Sequence, residues 1–212
     1  WTDRPGTVWP QGIPEPLPRK PVPEDLPWDL WIGTAPMRPY NPGYHPRAWR
    51  GWWDFGCGAL GDMGCHNMNP AWSALRLYDA EMFTVEVVEA EKNNSQTGPV
   101  RSVLKYTVPA RGDLPAVTVY WHDGVTAAPK IAGVPEGAKL GERDDGKNGT
   151  LFIGDEGMAT CGVHGHESRL IPEARMADFE RPKPYIPRVP DEDPYRNWLF
   201  ACKGGPAAAS NF

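Results

Sequence analysis

Asp62 and His66 stand four residues apart inside the run Trp49-Arg50-Gly51-Trp52-Trp53-Asp54-Phe55-Gly56-Cys57-Gly58-Ala59-Leu60-Gly61-Asp62-Met63-Gly64-Cys65-His66. If the tail of this run is helical, the i,i+4 spacing puts carboxylate and imidazole on one face, within hydrogen-bond reach. A carboxylate that orients an imidazole and stabilises its cation makes a general acid–base unit able to move a proton near neutral pH. The surrounding tryptophans and glycines predict a tight pocket with aromatic walls. The structural alternatives are a first-turn aspartate favoured by the helix dipole and a hydrogen-bonded core histidine. Both residues occurring together in a glycine-dense turn favours the chemical reading.

Around the pair, Arg50, Trp53, Tyr44, Gln11 and Arg4 are candidates to bind substrate. Arg50, beside the aromatic cluster, could stack or hold a polyol hydroxyl, or form a plain structural ion pair. A metal site from Asp62, His66 and the distant His45 is conceivable, but no spacing constraint places His45, and no metal is expected. His164 and His166 flank Gly165 and read as surface loop chemistry. The serine-nucleophile signature G-x-S-x-G is absent.

Gly56-Cys57-Gly58-Ala59-Leu60-Gly61 fits G-x-G-x-x-G, with Asp79 and Glu81 about 20 residues on, the spacing of a dinucleotide fingerprint. Three observations count against it. Residues 49–55 are not the Val/Ile/Leu run of a buried parallel strand. Asp62 would put a negative charge at the helix N-terminus, where the pyrophosphate should sit. A run of strands follows, not alternating strands and helices.

The elements that must position the pair are legible in outline. Residues 1–48 hold many of the 25 prolines, which rules out long helices. The interleaved Trp1, Trp9, Trp28, Trp31, Tyr40 and Tyr44 argue against disorder, so this segment is read as an ordered arm across a partner surface. Residues 63–78 read as a helix, broken or kinked at Pro70. Strand-like alternation marks 83–91, 100–108 and 116–122, then 150–153 and 158–163. Residues 124–149 form a long loop, 172–179 a short helix and 181–190 a proline-rich connector. Asp193-Pro194 opens a helix that stops at Gly204-Gly205. The expected organisation is an arm, 1–48, on an α+β domain, 49–212, with an open, mainly antiparallel sheet.

With 22 basic against 27 acidic residues and no basic run, a nucleic-acid partner is not expected. No apolar stretch approaches the roughly 20 residues of a membrane span, so no membrane partner is expected. Cys57, Cys65, Cys161 and Cys202 lack metal-site spacing and are expected to be reduced, mostly buried thiols. The opening Trp-Thr-Asp-Arg-Pro, without an initiator Met, reads as an internal start within a longer protein, whose localisation is unknown.

The 49–66 run resembles the central motif of the glucose–fructose oxidoreductase / inositol dehydrogenase (Gfo/Idh/MocA) family. More narrowly, the chain is similar to a bacterial branch that also carries Trp-Thr-x-Arg-Pro and Trp-Pro-Gln-Gly, here at 1–5 and 9–12. Ala201-Cys202-Lys203-Gly204-Gly205 and Ser210-Asn211-Phe212 are similar to its closing motifs. The resemblance implies a C-terminal α+β domain with helices on one face of an open sheet. The other face would make contacts in a homo-oligomer. NAD or NADP would be held mainly by an N-terminal Rossmann domain that this chain lacks. It also implies that His66 is the acid–base group at a hydroxyl or carbonyl of a sugar, glycoside or cyclitol, with Asp62 orienting it. Asn69 departs from the family, where Asp often stands three residues after the His. The alternative reading is a non-catalytic carbohydrate-binding or assembly module.

Overall fold

Three alternating segments pair into an antiparallel sheet of order β1-β2-β3: β1 (Thr84–Glu91), β2 (Arg101–Val108) and β3 (Val117–Asp123). Register partners share a face. Val87, Leu104 and Trp121 therefore line up on one side, as do Val85, Tyr106 and Val119. Against that face pack α2 (Gly58–Asn67) and α3 (Asn69–Ala74): Ala59 and Met63 are buried with Trp9, Tyr106 and Trp121, and Met68 and Trp72 pack around them. The opposite face carries Glu86, Lys105 and Tyr120 in register. Tyr120 is exposed there, and Lys105 pairs with Glu86 at 3.4 Å.

A second antiparallel sheet has the order β4-β5-β6: β4 (Thr150–Gly154), β5 (Gly157–Cys161) and β6 (Arg169–Ile171). The class is α+β with open antiparallel sheets, as expected, divided into two sheets of three strands. Three-residue β6 is too short to show alternation in sequence. Its Ile171 joins Trp1 and Leu140 in a small core, so the loop 124–149 is partly pinned from within.

This computed structural model describes residues 1–6, 8–184, 188–189, 191 and 193–208. The chain divides into units Trp1–Ala177 and Asp178–Phe212. Within the first unit the proline-rich arm packs part of its aromatics against its own chain. Trp28 and Ile32 of α1 (Trp28–Ile32) are buried with Tyr40, Tyr44 and Trp52. Trp28 stacks on Trp31 at 4.8 Å, and Tyr44 meets Trp52 edge-on at 4.6 Å. Large rings bury much apolar area per ordered residue, which stabilises a segment that proline bars from regular ladders.

The helix expected at 63–78 begins at Gly58 and is two pieces. Pro70 falls in the first turn of α3, where its missing N–H costs nothing, and Met68 joins the pieces. The expected helix at 172–179 is only a 3₁₀ turn, Glu173–Met176. Of the cysteines, Cys161 alone is buried while Cys57, Cys65 and Cys202 are exposed, which corrects the expectation of mostly buried thiols. In the second unit, α4 (Pro194–Cys202) is capped by Asp193, whose carboxylate accepts from the N–H of Tyr195 at 2.9 Å and Arg196 at 3.1 Å. The predicted connector 181–190 lies partly, and the motif at 210–212 wholly, outside the described residues. Among the described residues no helix is long and apolar enough to cross a membrane.

Candidate functional site

The site is built on α2, and its glycines are there for packing. Gly51 leads into the site turn because a Cβ there would run into the Pro10 carbonyl oxygen. Gly58 starts the helix at φ +63, a conformation that a side chain disfavours, with a would-be Cβ 3.2 Å from Gln11 Oε1. Gln11 is buried and fully used. Its Oε1 accepts from Trp9 Nε1 at 2.9 Å and from the Ala59 N–H at 3.0 Å, and its Nε2 donates to Pro99 O at 2.7 Å. One side chain thus ties the arm, the N-terminus of α2 and the loop before β2 together.

Asp62 and His66 both lie on α2, one turn apart. Asp62 Oδ1 accepts from Arg50 Nε at 2.8 Å, with both side chains about 30% exposed. Arg50 lies over the Trp49 ring at 4.7 Å and the Trp9 ring at 5.8 Å, which fixes its fork in front of the carboxylate. Among the described residues no hydrogen bond joins Asp62 to His66, so the expected direct pairing gives way to an Arg50–Asp62 pair beside His66. The imidazole instead meets the ring of His164, centroids 4.5 Å apart and planes at 73°, with His166 6.2 Å beyond. His164 sits at φ +58, ψ +15, a left-handed conformation uncommon for a non-glycine residue. Burial, then the nearby His66 and His166, hold its pKa below the usual imidazole range.

The other candidates are dispersed. Tyr44 is completely buried and its hydroxyl accepts from the Leu17 N–H at 2.8 Å. Both it and Gln11 are buried, with their polar atoms hydrogen-bonded inside the fold. Arg4 pairs with Asp3, and its carbonyl accepts from the Gly124 N–H next to β3. Trp53 is 43% exposed and donates through Nε1 to Asn94 O at 3.0 Å, which places it on the loop between β1 and β2. His45 packs edge-on against Trp31. Among the described residues no three His, Cys, Asp or Glu side chains stand where they could hold a metal.

The sequence placed His164 in a surface loop but not beside His66. Its separation from His66 and its place in a Gly-flanked loop hid the contact; the only signal was the histidine pair itself. The glycine run also fails as a dinucleotide cradle: the Ala59 N–H, which would face a phosphate, is held by Gln11, and the Gly58 gap faces Gln11.

The fold and site define an α+β domain whose glycine-started helix presents an aspartate and a histidine beside an aromatic-stacked arginine. Residues 8–111 match the family model described as oxidoreductase family, C-terminal alpha/beta domain, of the Gfo/Idh/MocA group. These residues include Arg50, Asp62 and His66, and over them the chain is similar to that family. No curated protein matches the chain.

Proposed function

We propose that this chain is the substrate-side, catalytic half of an NAD(P)-dependent oxidoreductase acting on a hydroxyl or carbonyl of a sugar, glycoside or cyclitol. The observation that carries the proposal is the placement of His66 one turn from an arginine-anchored Asp62, within the segment that matches an oxidoreductase family. His66 takes the hydroxyl proton as the ring carbon is oxidised, or returns it in the reverse direction. Asp62, its orientation fixed by Arg50, stabilises the imidazolium through space. His164 covers one side of the His66 ring and, held towards its neutral form, adds no second cation. The nicotinamide cofactor supplies hydride transfer, and its binding belongs to residues outside this chain. The uncovered sheet face around Glu86, Lys105 and Tyr120 supports the reading that copies associate there.

The test is turnover of the full-length protein with NAD or NADP against myo-inositol and glucose. His66→Ala should lose at least a hundredfold in kcat and Asp62→Asn at least tenfold, with circular dichroism unchanged; general acid–base groups contribute about 10²–10⁴. Wild-type turnover in His66→Ala would sink the assignment.

A further inference from the structure

Among the described residues the His66 ring makes no hydrogen bond, so its plane is set by what packs on it. That is His164, with centroids 4.5 Å apart and planes at 73°. His164 belongs to a 3₁₀ turn, Val163–Gly165, that packs on both α2 and α3. Val163 lies against the core around Met63 and Trp121. Gly165 closes on Pro70 of α3, where an added Cβ would touch the proline Cγ at 3.7 Å. The Gly162 N–H donates to His166 O at 2.8 Å, the His166 N–H to Val163 O at 3.2 Å, and Ser168 Oγ to Gly165 O at 2.7 Å. A turn so anchored delivers its middle ring to α2 and holds it there.

The backbone at His164 is left-handed, φ +58 and ψ +15, a conformation that asparagine or glycine takes with less strain. A bulkier residue kept in such a conformation points to a task for its side chain. The other ionisable groups near the two rings are engaged elsewhere. On α2, Asp62 is held by Arg50 at 2.8 Å, and the Cys65 thiol donates to Asp62 O at 3.4 Å. The α3 helix carries no titratable side chain. Glu167, just beyond the turn, accepts from the Arg143 N–H at 2.8 Å. His166 stands next in line, its ring centroid 6.2 Å from that of His164.

We propose that His164 is a positioning residue of the site: its ring is the wall that fixes the His66 imidazole in the plane where it meets the substrate hydroxyl. The proposal rests on His66 being the acid–base group. An imidazole exchanges its proton through the ring edge, so a wall on one face restricts rotation without blocking transfer. The wall also carries its own pH limit. A proton on both rings would put two like charges at a 4.5 Å contact and drive them apart. Partial burial, then His66 and His166, hold His164 below the usual imidazole range, so the wall is neutral at neutral pH and is lost only in acid. Reduction of a carbonyl, which needs His66 protonated, should therefore rise as pH falls and then fall again once His164 charges.

The test is turnover of the full-length protein on myo-inositol and glucose and, in reverse, on their oxidised products, with folding followed by circular dichroism. His164→Asn suits the left-handed backbone, so it should fold at least as stably as the parent. It should nonetheless lose roughly tenfold in kcat with KM little changed, since a reacting group displaced by ~1 Å can cost ~10²-fold. His164→Phe supplies a ring that cannot be charged; it should keep the parental kcat and remove the acid fall of the reduction profile. Parental kcat in His164→Asn would overturn the proposal, and an inactive His66→Ala beside it would leave the acid–base reading standing alone. Equal losses in the two variants would overturn the wall and make the imidazole nitrogens the working part. NMR of the chain itself reads the contact without turnover. The His66 ring protons should shift in His164→Asn, which loses the neighbouring ring current; unmoved signals would overturn the proposal even if the full-length variants fail to fold.

Discussion

Replacing Gln11 by leucine separates a positioning role from a substrate-binding one. Leucine matches the side chain in size but leaves three groups without partners: the Trp9 indole N–H, the Ala59 N–H and the Pro99 carbonyl. A buried polar group stripped of its partner costs about 1–3 kcal/mol. Gln11 is 7% exposed and Trp9 3%, so water cannot readily replace the bonds. For three such groups the expected loss is about 3–9 kcal/mol, a large part of the 5–15 kcal/mol typical of a domain. Urea unfolding followed by tryptophan fluorescence reads the loss, and hydrogen exchange at the Ala59 amide reads its location. A leucine variant within about 1 kcal/mol of the parent would refute the reasoning and return Gln11 to the substrate candidates.

Two further outcomes are expected. In a polypeptide that begins at Trp1, burial lowers the α-amino pKa from 8.0 to about 6. A base with a depressed folded pKa leaves the unfolded state holding more protons between those values, so stability rises with pH across pH 6–8. At about 1.4 kcal/mol per tenfold change in proton affinity the rise is about 3 kcal/mol, measurable by urea titration at each pH and absent when a residue precedes Trp1. His66→Gln removes one cationic neighbour of His164, so the His164 pKa should rise, as read by NMR titration of its ring protons; an unchanged or lower value would break the proposed contact.

How much was readable in advance depended on the range of the interaction concerned. Strands β1 to β5 were legible because alternation over five to eight residues is a local signal, while β6 has too few residues to alternate. The N-cap of α4 at Asp193 was legible because a cap uses neighbours two and three residues away. Asp62 and His66 could be singled out as candidates because their spacing puts both on one helix, one turn apart. The partners they have in the fold were not. Arg50 was a candidate for a polyol or a salt bridge, and only packing on Trp49 and Trp9 aimed it at Asp62.

The sequence by itself therefore determined the α+β class, most elements and the helix that carries the acid–base candidates, all from periodicity, capping and short spacings. Only the tertiary structure decided that the proline-rich arm buries its aromatics in its own domain. It alone buried Gln11 and Tyr44 in internal hydrogen bonds and brought His164 to His66 across almost a hundred positions of chain. The physical reason is common to all three. Which polar atoms face one another is set by how the hydrophobic faces pack, and contacts distant along the chain leave no spacing to read.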